Sequence, residues 1–209
     1  MRFNKMLVKV YWLVCLFVLA ACQPSVENNW PVVNLWDVMI TESDIPQGWQ
    51  LLETSDRPIV SFGEEDAARF SFYYENDPKQ LTRGGFTLHR HTTTKRAIRQ
   101  YETMERAHFD STDPAYYTPM FIPEGFSFKS PVADEWNFRC AGHRMEGLLE
   151  DRINCVFLAR YGQYLVSFSI ATTYRDRETV DIATIQSLIE VIDGNMQDLH
   201  STLTSPSGE

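Results

Sequence analysis

Two stretches of the chain repeat apolar side chains at helical spacing. Thr92, Thr93 and Thr94 can start a helix, and small or apolar residues recur every three or four positions over residues 94–109. Residues 179–199 carry a longer apolar stripe, which Gly194 weakens near its end. The two patterns predict a middle helix and a C-terminal helix. The longer stripe consists of Ile182, Ile185, Leu188, Ile189, Ile192, Met196 and Leu199.

Two further stretches alternate between apolar and polar side chains, as half-buried strands do. The alternation covers residues 67–75 and 84–92. Ahead of them, residues 35–53 predict a short helix or strand and then a turn, with Trp49 in the core. Residues 110–132 hold four prolines among many aromatic residues, and this composition predicts a long loop.

Two cysteines suggest the register of the next strands. If Cys140 and Cys155 face each other across an antiparallel hairpin, Phe138 lies opposite Phe157, and such aromatic pairs stabilise a ladder. The bend of this hairpin falls at residues 147–148. The same register pairs Trp136 with Ala159 and Arg144 with Asp151.

A second bend at Tyr161-Gly162 would complete a three-strand meander. It places Val166 opposite Phe157 and Phe168 opposite Cys155. One face of the meander then collects aromatic and apolar side chains, and the C-terminal helix is the candidate to cover it. The other face is mixed and holds Asn137, Arg139, Val156, Leu158, Leu165, Ser167 and Ser169.

The order of these elements predicts an α+β fold. An antiparallel sheet carries the long C-terminal helix and the middle helix packed against it. Residues 35–200 form a single domain, and the polar residues 201–209 form a disordered tail.

The N-terminus has the plan of an export signal. Residues 1–21 combine a basic start with about ten apolar residues, too few to cross a bilayer, and a small-residue end. Leu19-Ala20-Ala21-Cys22 resembles the lipobox of bacterial lipoproteins. The resemblance implies cleavage before Cys22 and acylation of that residue, which anchors the chain in a membrane. Residues 22–34 are then a lipidated tether.

A second resemblance concerns the domain itself. The element order, the "IPQGW" entry and the closing helix resemble Mog1/PsbP-like lipoproteins over residues 35–199. The resemblance implies a binding or assembly factor with no common catalytic site. It supplies only an analogy of fold.

The charge and the cysteines of the chain limit which partners and which compartment we expect for the domain. The chain has a formal net charge of −9, and loss of the three basic signal residues makes it more negative. Such a charge opposes binding to nucleic acid. With Cys15 removed and Cys22 acylated, Cys140 and Cys155 remain, and they predict a disulfide in an exported protein. A two-cysteine metal site is the alternative, without supporting spacing.

His89 and His91 are the candidates for metal chemistry. Positions two apart on a strand point to the same side, so both imidazoles could bind one ion. The third ligand would come from His108, His143, His200 or a carboxylate. The alternative is a pair of half-exposed histidines on a polar sheet face. No cofactor is predicted.

The long loop is the candidate for recognition. Tyr116, Tyr117, Met120 and Phe121 combine aromatic and thioether side chains with a backbone stiffened by prolines, as protein interfaces and apolar clefts do. The alternative is that this loop seals the open edge of the core.

These observations favour a non-enzymatic binding or assembly domain of unknown specific role. We expect it to be lipid-anchored in the cell membrane or outer membrane, on the extracytoplasmic side, with an envelope protein as a possible partner. A small-ligand or metal-binding carrier is one alternative. A hydrolase with a site dispersed in sequence is another, although no catalytic residue stands out.

Overall fold

The computed structural model describes residues 30–55, 57, 63–74, 82–109, 118–143, 152–173 and 182–204. Within these ranges the chain forms a six-stranded sheet and two α-helices, preceded by two short 3-10 turns. The turns are Leu35–Asp37 and Glu42–Asp44. The strands are β1 (Trp49–Ser55), β2 (Glu64–Tyr74), β3 (Arg83–His91), β4 (Glu135–His143), β5 (Arg152–Tyr161) and β6 (Tyr164–Thr173), and the helices are α1 (Thr94–Phe109) and α2 (Ile182–Thr204).

The sheet has the strand order β1-β2-β3-β6-β5-β4, and every neighbouring pair is antiparallel. One meander contains β1 to β3 and a second contains β4 to β6. The chain crosses from the first to the far edge of the second through α1 and the segment that follows it. This arrangement confirms the α+β class with an antiparallel sheet and two helices packed against it.

One side of the sheet, the core face, holds five phenylalanines with no exposed surface. They come from five different strands and pack under the apolar stripe of α2, as the sequence predicts. Burial of this stripe explains why α2 forms, since most helical stability in proteins comes from packing an apolar face. The five residues are Phe72, Phe86, Phe138, Phe157 and Phe168.

The opposite side, the polar face, is covered only in part. Tyr101 of α1 packs there on Leu158 and Leu165, with Met104 and Phe109 beside them. The helix contacts β3, β5 and β6. The bounds of α1 are those that the sequence predicts.

The hairpin of β4 and β5 has the register that the cysteines predict. Cys140 pairs with Cys155 and Phe138 with Phe157. The two cysteine sulfur atoms are 2.02 Å apart, the distance of a disulfide bond. The bend at 147–148 and the pair of Arg144 with Asp151 lie outside the described residues.

The register predicted between β5 and β6 is wrong by two residues. Phe157 pairs with Phe168 rather than Val166, because the bend lies at Gly162 and Gln163. Gly162 has φ +58, and a Cβ there would also collide with the ring of Trp30. A shift of two residues leaves every side chain on its predicted face, since strands have a period of two.

The predicted tether is wrong for residues 30–34. Trp30 is 5% exposed, and its ring lies 6.0 Å from that of Tyr161 in an edge-on contact. Its backbone N–H donates to Gln163 Oε1 at 2.9 Å, and Gln163 Nε2 donates to the Trp30 carbonyl at 2.8 Å. A single aromatic residue in a polar segment without periodicity therefore begins the packed domain earlier than the sequence pattern indicates.

Two other boundaries differ from the sequence-based expectation. Trp49 is buried as predicted, but it opens the edge strand β1, in which Leu51 and Leu52 are exposed and a bulge follows Leu51. Exposed leucines and a bulge hide the alternation of this strand. The helix α2 continues to Thr204, so the first residues of the predicted tail are helical.

Candidate functional site

A cavity of about 540 Å³ lies on the part of the polar face that α1 leaves uncovered. We call it the sheet-face groove. Three rows of side chains across the strands explain its shape. The middle row is Ser71, Gly85 and Ser169, which are small, so the surface is low there. Longer side chains stand on both sides of this row.

Arginines occupy the flanking rows. Arg69 lies in the row of Thr87 and Ser167, and Arg83 lies in the row of Ala171. Both line the sheet-face groove, together with Arg152 at the start of β5. These positions follow from alternation, because the neighbours of Arg69 in β2 point into the core.

The sheet-face groove continues towards β1 and His89. A second hollow of about 220 Å³ shares Arg69 and Thr87 with it and adds Arg57 and His89 to the lining. Among the described residues that line the two hollows, Arg57, Arg69 and Arg83 face one carboxylate, that of Glu53, while Arg152 has an interaction partner of its own. This local excess of positive charge is opposite in sign to the net charge of −9 of the whole chain.

Two arginines elsewhere on the domain are paired with carboxylates. Arg160 pairs with Asp134 at 2.8 Å, and Arg90 lies 3.6 Å from Glu65. In the described part of the chain, no carboxylate comes within ion-pair distance of Arg69 or Arg83. Their guanidinium groups therefore remain available to a ligand.

The predicted histidine pair is buried rather than half-exposed. His89 and His91 lie on one side of β3, and the Glu64 carboxylate is 3.1 Å from His89 Nδ1. Burial lowers the pKa of His91, while the charge of Glu64 and the backbone of Gly63 act in the opposite direction.

The suggested third metal ligands do not converge on this pair. His200 of α2 packs on Trp30, with ring centroids 4.9 Å apart, and His143 belongs to β4 at the far edge of the sheet. His108 lies at the end of α1, where burial lowers its pKa. Over the described ranges, no group of three or more His, Cys, Asp and Glu residues is placed to hold a metal ion. Metal binding at His89 and His91 therefore stays a prediction.

The candidate recognition loop is described from residue 118 onwards. Tyr116 and Tyr117 lie outside the described residues. Met120 is half-buried and Phe121 is 44% exposed. The backbone of Phe121 exchanges two hydrogen bonds with Cys140, which attaches this segment to the edge of the sheet.

The segment after Phe121 seals the core, as the alternative interpretation holds. The ring of Phe126 stacks on Phe138 with centroids 4.1 Å apart. Phe128 is buried and meets Phe157 edge-on at 5.4 Å. Recognition by the exposed residues at the start of the described segment stays a prediction.

Carboxylates gather in a shallow hollow of about 400 Å³ between α1 and β4. Glu105 accepts a hydrogen bond from Asn137 at 3.1 Å, and Glu135 lies 3.5 Å from Arg160. Two of the three carboxylates in the hollow therefore make structural contacts with neighbouring side chains. They add no support to the hydrolase hypothesis.

Sequence reasoning placed Ser167 and Ser169 on the mixed face but did not predict the sheet-face groove. Arg69, Arg83 and Arg152 were not among its candidate residues. The available signal was the alternation itself, which puts arginine, serine and threonine on one side of three strands. That signal becomes a site only when the strand order brings β2, β3, β6 and β5 side by side.

No family model matches the chain, and no curated protein matches it. A solved structure with the same fold is the extracellular domain of PknH from Mycobacterium tuberculosis. The TM-score is 0.52 at 6% sequence identity, and the match covers 86% of this chain and 98% of that domain. At this identity the similarity shows the fold alone. The resemblance to Mog1/PsbP-like lipoproteins stays a prediction.

Proposed function

We propose that the protein is a lipid-anchored, extracytoplasmic binding protein and that the sheet-face groove is its ligand site. One observation carries the proposal. The core face is closed by α2, whereas the polar face retains an open cavity of about 540 Å³, a size typical of small-molecule sites. A rigid sheet fixes the backbone positions from which the lining side chains extend before a ligand arrives.

The location rests on the N-terminus and two supporting observations. Cys22 completes a lipobox-like sequence, and acyl chains on it would hold the chain at the cell membrane or outer membrane. Cys140 and Cys155 lie at disulfide distance, as suits an exported domain. The solved structure with this fold is itself an extracellular domain. Among the described residues, neither helix is long and apolar enough to cross a bilayer.

Binding is favoured over catalysis by the contacts around the sheet-face groove. A hydrolytic site would pair a hydroxyl nucleophile with a base such as His89. His89 instead faces Glu64, and no hydrogen bond joins it to a hydroxyl group of the described lining. The proposed role is therefore non-enzymatic, and an envelope protein partner is compatible with it.

The anchor is tested by metabolic labelling with a fatty acid. We expect the wild-type chain to incorporate the label and to sediment with membranes, and Cys22→Ala to lose both properties. Cys15→Ser is the matched control, because residue 15 lies inside the removed signal and should leave labelling unchanged. Label that persists in Cys22→Ala would contradict the proposed anchor.

The site is tested by filling the sheet-face groove. Ser169→Trp places a large ring in the low middle row, whereas Ser187→Trp puts the same ring on the exposed surface of α2. A small-molecule fraction of the envelope should raise the melting temperature of the full chain in detergent and of Ser187→Trp, but not that of Ser169→Trp. Equal shifts in all three, or none in the wild type, would exclude this groove as the ligand site.

A further inference from the structure

The side chains of the sheet-face groove define the chemistry of its ligand. We infer that it binds an anionic, hydroxyl-rich compound, namely a sugar or polyol that carries a phosphate or carboxylate group. The guanidinium groups of Arg69 and Arg83 receive the anionic group, and serine, threonine and asparagine side chains receive the hydroxyl groups. This inference rests on the proposed binding function and deepens it.

The arginines are arranged around one point. The rows of Arg69 and Arg83 lie on either side of the Ser71–Gly85–Ser169 row, each about 7 Å along the strands from it. Both side chains can therefore reach an anion seated over Gly85, where no side chain stands in the way. Arginine binds carboxylate and phosphate groups through two parallel N–H···O bonds.

The charge of the arginines is permanent and only partly screened. A guanidinium stays protonated in proteins. Arg69 and Arg83 stand at the exposed rim without a described carboxylate at ion-pair distance. A concave surface with one sign of charge raises the local concentration of the opposite ion. An anion is therefore drawn here even though the chain as a whole is acidic.

The rest of the lining favours hydroxyl groups over an aromatic ligand. Ser71, Thr87 and Asn154 present donors and acceptors towards the cavity. The one aromatic residue among its described lining residues is Phe86, whose ring is buried in the core and stacks on Phe168 at 4.4 Å. Without an exposed ring on which a base could stack, a nucleotide is disfavoured relative to a sugar or polyol.

Isothermal titration of the full chain in detergent tests the inference with three probes: glucose 6-phosphate, glucuronate and glucose. We expect at least one anionic probe to bind at least tenfold more tightly than glucose, and its affinity to fall with added salt. The stronger of the two anions tells a phosphate source from a carboxylate source. Arg69→Gln and Arg83→Gln should each weaken binding by about tenfold or more, because a charged hydrogen bond is lost.

Arg99→Gln is the matched control, because Arg99 is exposed on α1 and away from the groove; it should leave affinity unchanged. Equal binding of glucose and the anions, no binding of any probe, or unchanged affinity in the two groove variants would overturn the inference. If an envelope fraction still stabilises the wild type but not Ser169→Trp, the proposed binding function stands and only the ligand class is wrong. If that shift is absent as well, both proposals fail.

Discussion

The two faces of the sheet are built from the same strands but are closed in different ways. On the core face, phenylalanines from five strands meet the apolar stripe of α2. On the polar face, the buried hydrophobic cluster among the described residues under α1 consists of Tyr101, Leu158 and Leu165, and arginines and hydroxyl groups line the sheet-face groove beside it. The comparison teaches that the two faces of this sheet differ in how far packing closes them. One face holds the fold together, and the other carries the groove that we propose as the ligand site.

The largest expected effect on stability comes from comparing two neighbouring substitutions in β6. Phe168 is fully buried and stacks on Phe86, so Phe168→Ala should lower the free energy of unfolding by about 3–5 kcal/mol. Ser167→Ala, one residue away on the polar face, should change it by no more than about 0.5 kcal/mol. Urea denaturation of the full chain measures both. Similar losses for the two variants would break the division between the faces.

The second test concerns the cysteine pair on the core face. Closing a loop with a sequence separation of 15 should stabilise the fold by about 3 kcal/mol. A reductant should therefore lower the free energy of unfolding of the wild type by this amount and leave a Cys140→Ala/Cys155→Ala variant unaffected. Thiol titration under native conditions gives a direct check. Free thiols at Cys140 and Cys155 would refute the disulfide.

Protonation of His91, the buried histidine on the polar side of β3, should have a smaller effect on the free energy of unfolding. Because burial lowers the pKa of His91 below 6.5, the unfolded chain binds more protons than the folded chain when the pH falls below this value. Stability should therefore decline on acidification below about pH 6.5. His108 shifts in the same direction, so His91→Gln should reduce the decline without abolishing it.

This prediction is checked by urea denaturation between about pH 7 and pH 5, a range in which ordinary histidines titrate. The slope of the free energy of unfolding against pH should be shallower in His91→Gln than in the wild type. Identical slopes would show that protonation of His91 makes no contribution, and the polar face would then owe its acid sensitivity to other groups.

Local patterns predicted much of the fold because the signals were strong. The spacing of apolar residues predicted α1 with its observed bounds, and the cysteine pair predicted the β4–β5 register. The predicted β5–β6 register was wrong by two residues, because the alternation of side chains is the same in both registers. The position of the turn at Gly162 decides which of the two registers forms. Trp30 was missed because one anchoring ring leaves no periodic trace.

The candidate site was less predictable than the fold. The histidine pair was placed correctly on one side of a strand, but the proximity of Glu64 to His89 depends on the pairing of β2 with β3. The sheet-face groove needs five strands from two separate meanders, and no local pattern indicates which side chains of different strands stand in one row. The arginines therefore looked like ordinary surface charges in the sequence.

The sequence by itself determined which side chains face which side of the sheet and where the two helices lie along the chain. It also contains the lipobox-like motif near the N-terminus. These properties depend on periods of two and 3.6 residues and on short motifs, all of which are local. Only the tertiary structure decided that α1 covers part of the polar face and that Trp30 belongs to the core. It also brought Arg69, Arg83 and Arg152 to one hollow, because strand order and helix placement arise from packing between residues far apart in the chain.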